Sequence, residues 1–333
     1  MTFAFEFRSY RTPFKRPLLT AHGPWLEREG IIIRITDESG RTALGEIAPV
    51  PWFGTETLAQ ALDLCRSLGP KIQDGWIEEI NETLPCCRFA FGSAMETLSG
   101  RSSPDPFRRC EVACLLPARF EAIAAAERAA ARGFTRLKWK VGVDDEDSEI
   151  AVLRKLANVL PTGVLLRLDA NGAWDRGTAR TWIDACDGMP VEFIEQPFPR
   201  GDDAALLEIG TAYPWLIALD ESVTPPGELW RWLEAGWPGV VVVKPSLAGD
   251  PAQLRKLLTD SKADVVFSTA LETTIGWHAA LQFALGHAGA RRALGFGAGN
   301  ILVDNLLNPP EATPIASAKL LASTPDTWTH LAH

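Results

Sequence analysis

The sequence predicts an α/β protein, a closed parallel barrel preceded by an α+β segment, and three observations carry that expectation. From Cys110 onward seven apolar runs (VACLL, LKWKV, VLLRL, EFIEQ, WLIAL, GVVVVK and DVVFS) alternate with amphipathic stretches, the pattern of parallel strands joined by crossover helices. Ionisable residues stand at five strand ends, Lys140, Asp169, Glu195, Asp220 and Lys244, spaced by 29, 26, 25 and 24 residues, about one strand plus one helix each time. Residues 1 to about 105 instead show short runs of apolar and polar alternation and no repeat.

The elements follow in order. FAFEF reads as a strand, and GIIIRITDES with TALGEIAP reads as a hairpin turning at Ser39-Gly40. LAQALDLCRSL has helical periodicity. The Ser- and Pro-rich stretch RSSPDPF, 101–107, is the linker, which divides a first domain (1–105) from a barrel (106–305). FEAIAAAERAAARG is a helix closed by a glycine C-cap. LGFGAG at 294–299 supplies a weaker eighth strand. Past Leu306 the chain reads NPPEATP without periodicity, and 306–333 is expected to run back over the first domain.

Composition narrows the partners. At 333 residues, with 46% hydrophobic and 23% charged residues, the chain can bury a large core. A net charge of −9 and no long basic run argue against nucleic acid. No stretch approaches the roughly 18 apolar residues that span a bilayer, and the N-terminus lacks a secretory h-region, so the expected location is the cytoplasm and no membrane partner is expected. The six cysteines are scattered, Cys86 and Cys87 being adjacent, which suits neither a zinc pattern nor a redox pair. Of the five histidines only His278 falls near a strand end. The sequence leaves the oligomeric state open.

Active sites of parallel barrels collect at the C-terminal strand ends. In LKWKV, alternation sends Leu137, Trp139 and Val141 to the outer helices and leaves Lys138 and Lys140 facing inward. Two ammonium groups on one buried face repel, which draws a lysine toward general-base duty, although nearby carboxylates oppose this. Asp169, Glu195 and Asp220 come from three consecutive strands with no ion-pair partner in sequence, so a cation is needed to cancel their repulsion. Three hard oxygen donors describe Mg²⁺ better than zinc. The DANG tetrapeptide lacks the further acids of a calcium loop. Asn171 shares a side with Asp169 and is expected to support the ligand or touch substrate. Glu221 should face away from Asp220 unless the strand has already ended. Lys244 follows four valines and precedes proline, across the barrel from Lys140. A metal flanked by lysines points to removal of a proton alpha to a carboxylate of a small molecule, the metal holding the enediolate. No nucleophile elbow, phosphate loop or dinucleotide fingerprint is present.

These residues resemble the enolase superfamily, specifically its muconate-lactonizing subgroup, in which a Lys-x-Lys strand, three acidic ligands and a further lysine surround Mg²⁺. The resemblance covers nearly the whole chain and implies a modified (β/α)₇β barrel of the TIM type with an N-terminal capping domain. TAHGPWLEREGIIIRI (20–35), GEIAPVPWFGTET (45–57) and STALETTIG (268–276) look most like the o-succinylbenzoate synthase family within that subgroup. That family's reaction is syn dehydration of 2-succinyl-6-hydroxy-2,4-cyclohexadiene-1-carboxylate to 2-succinylbenzoate, in menaquinone or phylloquinone synthesis. By resemblance Lys140 is the base and proton donor, while Lys138 and Lys244 stabilise the enediolate. The resemblance also offers Ser268, Thr269 and Glu272 as contacts for the succinyl end. Trp52 and Phe53, with Trp25, His22 and Glu56, are candidates in the segments that close over the substrate. Muconate cycloisomerization, N-acylamino acid racemization and a noncatalytic carboxylate-binding barrel are the alternatives. The Asp-x-Asp motif usual in dipeptide epimerases is absent from 268–276.

Overall fold

The structure is a computed structural model and describes all residues except 21–22, 74, 102–103, 323–325 and 332–333. Strands β1 (Thr2–Thr20), β2 (Gly23–Thr36) and β3 (Thr42–Ile47) are followed by α1 (Leu58–Ser67), β4 (Lys71–Gln73) and α2 (Pro85–Leu98). The four strands form one antiparallel sheet in the order β3-β2-β1-β4. The hairpin between β2 and β3 turns where expected, Asp37 accepting from the backbone N–H groups of Ser39 and Arg41 at 2.9 Å each. Gly40 takes φ 82°, a left-handed value that glycine adopts without strain. The buried face of this sheet, including Phe3, Phe5, Ile31, Ile33 and Ile35, packs on Cys86, Cys87, Ala90, Phe91 and Ala94 of α2. All six cysteines are free thiols, and five are buried.

A second unit begins with β5 (Arg109–Glu111) and β6 (Cys114–Leu115). It continues as α3 (Glu121–Ala131), β7 (Arg136–Lys140), α4 (Glu146–Val159), β8 (Leu165–Asp169), α5 (Arg176–Cys186), β9 (Val191–Glu195) and α6 (Asp203–Ala212). Strand β10 (Ile217–Leu219), α7 (Glu228–Glu234), β11 (Val240–Val243), α8 (Pro251–Ser261), β12 (Asp264–Phe267) and α9 (Thr274–Gly286) complete the alternation. Strands β6 to β12 form a seven-stranded parallel sheet in strict sequence order. The expected eighth strand is present as two parallel bridges, Leu294 to Val112 and Gly295 to Ser268, which join the first strand region to the last and close the ring. The fold is a capped (β/α)₇β barrel.

Alternation decides which side chains fill the ring. Leu137, Trp139, Leu166, Leu168, Ile217, Leu219, Val241 and Val243 face outward to the helices, whereas Phe193, Ala218, Val240, Val242 and Val266 fill the interior. The VVVV run, uniform in sequence, is thus split between two cores. A β-bulge at Leu166/Arg167 re-aims Glu192 inward at the N-terminal end. There it accepts from Arg167 Nε at 2.7 Å and Arg292 Nη1 at 2.8 Å, with Arg136 at 3.3 Å, an ionic plug for the base of the barrel.

Helices α4, α5, α6 and α8 each begin at an aspartate (Asp145, Asp175, Asp202, Asp250) whose side chain accepts from a first-turn N–H. Caps of this kind contribute about 1 kcal/mol each, and here they also fix the loops leaving the strand ends. The C-terminal segment crosses back over the first sheet. Strand β13 (Ile315–Ser317) pairs antiparallel with β5. Leu307 and Trp328 pack with Tyr10, Phe14 and Ile32. The guanidinium groups of Arg8 and Arg34 lie 4.1 and 4.5 Å from the centre of the Trp328 ring.

The outer core turns on Trp182 of α5, fully buried and stacked on Trp174 at 5.0 Å. Trp182→Ala should lower unfolding free energy by about 3–5 kcal/mol in urea denaturation, the usual cost of a large aromatic lost from a core that collapses only partly.

Candidate active site

Register places the ionisable residues in one tier. Lys140 pairs with Asp169, Asp169 with Glu195, and Ala218, two residues before Asp220, with Glu195. On β7 the burial alternates, with Leu137 and Trp139 fully buried against the helices and Arg136, Lys138 and Lys140 half-buried on the inner side. Lys244 follows the last residue of β11 and is buried.

The three carboxylates do not stand without partners, contrary to the expectation from sequence. Lys138 Nζ lies 2.8 Å from Asp169 Oδ2 and 2.7 Å from Glu195 Oε1, and Lys244 Nζ is hydrogen bonded to Asp220 Oδ1. Among the described residues no three His, Cys, Asp or Glu side chains close on one point, because the Lys138 ammonium stands between two of the acids. The Lys140 side chain, by contrast, makes no hydrogen bond or ion pair among the described residues.

The expected depression of a lysine is not found at Lys138. Burial pulls its proton affinity down, but Asp169, Glu195 and Asp220 outweigh burial and hold the ammonium well above its ordinary range. Lys244 is raised in the same way, burial being overcome by Asp220, Glu221 and Glu195. Burial pushes the Glu195 carboxyl well above the carboxylate range, Lys138 opposing and Asp169 and Asp220 adding to it. Burial also works against ionised Asp220, yet the Lys244 ammonium keeps it below its usual value.

Glu221 was expected to face away from Asp220 unless the strand had ended, and β10 does end at Leu219. Its side chain turns into the site, where Asn171 Nδ2 donates to Oε1 at 3.0 Å. Oε2 is buried and unpartnered. Burial, then Asp220 and Asp169, raises this carboxyl to about 7. Asn171 itself sits at φ 44°, a strained position for a residue with a side chain, and its N–H donates to Asp169 Oδ1 at 3.2 Å. Its contacts are with the acids. Four acidic groups therefore meet two paired ammonium groups, and the oxygen donor set with its unpartnered Oε2 fits a hard divalent cation.

Gln196, which sequence reading passed over, organises the tier. It is fully buried at φ 43°. Its Oε1 accepts from the N–H groups of Asp220 (3.0 Å) and Ser222 (3.1 Å), while Nε2 donates to Phe198 O (2.9 Å) and Ser222 Oγ (2.7 Å). All four of its hydrogen-bonding positions are used. The available signal was its place, directly after Glu195 and before a proline.

The substrate-contact candidates divide. Phe53, on the short 3₁₀ turn Pro51–Phe53, places its ring centre 5.2 Å from Lys244 Nζ and so reaches the site. Trp52 packs edge-on to Trp25 at 4.8 Å, and Trp25 meets Phe14 at 5.1 Å, so Trp52 and Trp25 extend an aromatic row of the first domain. Ser268 is half-buried with Oγ 3.1 Å from Gly295 O, and Thr269 is buried beside it. Glu272 is corrected: it is 1% exposed, accepts from Ser246 Oγ and from Ala270 N at 2.9 Å, and braces its own loop. Glu56 is likewise structural, accepting from Cys86 N (3.2 Å) and Cys87 N (2.8 Å) at the start of α2, where Leu84 supplies no side-chain cap. His278 lies on α9, its pKa lowered by burial and opposed by the backbone of Leu320, away from the acids. His22 lies outside the described residues.

A capped barrel with acids on three successive strand ends and lysines on either side defines a class. The family described as "Enolase C-terminal domain-like" matches residues 121–312, and the one described as "MenC, N-terminal domain" matches 4–98, so the chain belongs to the enolase superfamily. The o-succinylbenzoate synthase of Thermosynechococcus vestitus is 38% identical over 321 residues, 95% of this chain and 97% of its own. Within the superfamily, then, the family is that of the o-succinylbenzoate synthases. A crystal structure of o-succinylbenzoate synthase from Thermosynechococcus elongatus BP-1, complexed with Mg in the active site, matches with a TM-score of 0.84 at 36% identity over 98% of each chain. The L-Ala-D/L-Glu epimerase of Bacillus subtilis is 32% identical over 169 residues, 49% of this chain and 46% of its own. No described helix is long and apolar enough to cross a membrane.

Folded Glu195 and Glu221 hold protons more tightly than unfolded carboxylates. The stability they contribute is full below the ordinary value of 4.5 and is lost as pH rises through about 7 for Glu221. Protein stripped of divalent ions should therefore melt at a lower temperature at about pH 7.5 than at about pH 5, and Glu221→Gln should flatten that slope. Thermal melts across this range check it, and a midpoint that rises toward neutrality contradicts it.

Proposed function

We propose that the chain is an o-succinylbenzoate synthase, a lyase that removes water from 2-succinyl-6-hydroxy-2,4-cyclohexadiene-1-carboxylate to give 2-succinylbenzoate on the route to menaquinone or phylloquinone. The observation that carries this reading is the tier of Lys138, Lys140, Asp169, Glu195, Asp220 and Lys244 in a chain 38% identical, over nearly its whole length, to an o-succinylbenzoate synthase. Residues 1–105 are read as the cap and 106–305 as the catalytic barrel, with 306–333 strapped to the cap. The buried, unpaired cysteines suit a reducing cytoplasm.

Asp169, Glu195 and Asp220 would hold Mg²⁺, with Asn171 and Glu221 orienting them. The ion supplies Lewis-acid neutralisation of charge that develops on the substrate carboxylate. Lys140, in its amine form, removes the proton alpha to that carboxylate, and the pair of electrons moves into the enediolate. The same side chain, now an ammonium, protonates the hydroxyl leaving from the same face, and water departs as the ring becomes aromatic. Support for Lys140 over Lys138 comes from their partners: Lys138 is held by two carboxylates, whereas Lys140 is unpaired among the described residues. Lys138 and Lys244 stay charged and stabilise the anionic intermediate. Phe53 packs beside Lys244 and helps exclude water.

Lys140→Ala should lower kcat by about 10²- to 10⁴-fold, the usual worth of a general base, when aromatic product is followed with Mg²⁺ present. Turnover near that of the unaltered protein would reject the base assignment. Chelation of the divalent ion should abolish activity and its return should restore it. The same preparation, offered muconate and an N-acylamino acid, is expected to prefer the cyclohexadiene substrate, and a stronger response to either competitor would replace this reading.

A further inference from the structure

Two charged side chains of the cap, Arg28 and Glu46, are each 1% exposed and reach from their sheet to the barrel. Glu46, on β3, accepts from Tyr10 Oη at 2.6 Å, Thr273 N at 2.9 Å, Thr273 Oγ1 and Gly276 N at 2.7 Å. A carboxylate has about four acceptor positions, so Glu46 is saturated, and three of its four bonds go to the start of α9. Arg28, on β2, donates through Nε to Leu271 O at 3.1 Å, through Nη1 to Pro49 O at 2.8 Å and through Nη2 to Ala48 O.

Glu46 thus grips the start of α9 with three bonds, and Arg28, anchored on the cap carbonyls of Glu29, Ala48 and Pro49, ties Leu271 to the cap with one. The segment between β12 and α9 is under tension, since Leu271 is held at φ 62°. Close approach is built in as well: a Cβ at Gly276 would lie 2.7 Å from Glu272 Cβ and 2.9 Å from Glu46 Oε2. From the other side Glu272 accepts from Ser246, two residues after Lys244. Arg28 also lies 5.2 Å from the centre of Trp25, which backs Trp52 and, next to it, Phe53.

We infer that Arg28 and Glu46 are positioning residues that set the substrate affinity of the barrel through the loop 268–273. The inference rests on the proposed synthase reading, in which Ser268 and Thr269 face the succinyl end. Neither charge touches the reacting tier; Glu46 spends three of its four bonds on Thr273 and Gly276, and Arg28 spends one on Leu271. Loss of one should therefore loosen ground-state and transition-state binding alike, which raises KM while kcat holds. A purely structural role would lower the melting temperature and leave both constants of the folded enzyme unchanged.

The test is steady-state kinetics of the full-length, Mg²⁺-loaded Glu46→Gln variant on the cyclohexadiene substrate, with melting temperature measured in parallel. Glutamine keeps the shape but turns an NH₂ toward groups that donate. KM is expected to rise at least ~5-fold with kcat within ~3-fold of the unaltered enzyme. Tyr10→Phe, which removes one hydrogen bond to Glu46, should give a smaller rise in KM and carries the test if Glu46→Gln does not fold. Unchanged KM in a folded variant, or a fall in kcat at constant KM, overturns the positioning role. Absence of turnover by the unaltered protein overturns the synthase reading instead.

Discussion

Excess negative charge at the mouth of the barrel is the constraint on which the rest of the site depends. Asp169, Glu195, Asp220 and Glu221 are brought together where water is largely excluded, and buried like charges cannot all ionise without cations. Lys138 and Lys244 meet part of that demand. The remainder shows as raised carboxyl groups at Glu195 and Glu221 and as the unpartnered Glu221 Oε2. A divalent cation would complete the balance, and in the proposed reaction its charge would neutralise a substrate carboxylate. Cofactor demand and reaction type thus share one electrostatic origin.

Such a site needs walls that do not yield. The barrel base is locked by three arginines on Glu192, the strand-end loops run into capped helices, and Gln196 fixes the backbone between Glu195 and Ser222. Left-handed backbone at Asn171, Gln196 and Leu271 gathers at this mouth, strain held by saturated hydrogen bonding around it. The cap adds the remaining wall, since Arg28 and Glu46 reach out of their sheet to hold the loop before α9.

Much of this was legible because barrels translate sequence period into geometry. Two-residue alternation in LKWKV sets which side of the sheet each side chain takes, and the spacing of about 25 residues puts one ionisable group at each of five successive strand ends. Glu221 was ambiguous because alternation stops giving direction once the strand ends, and β10 is only three residues long. Glu56 and Glu272 misled for a different reason. A carboxylate in a loop looks the same in sequence whether it meets a ligand or an orphaned helix N–H, and only packing showed that Cys86, Cys87, Ser246 and Ala270 had claimed them.

The division follows from the range of the forces. Strand count, the parallel barrel, the inward lysines and the triad of acids were set locally by periodicity and spacing, and resemblance in the cap segments pointed to the family. Ring closure at Leu294 and Gly295, the pairing of Lys138 with two acids, the inward turn of Glu221 and the grip of Arg28 and Glu46 were decided by contacts between residues up to 243 positions apart. Charge and hydrogen-bond satisfaction at those contacts depend on which groups the closed fold brings into the same dry space, and no local pattern encodes that.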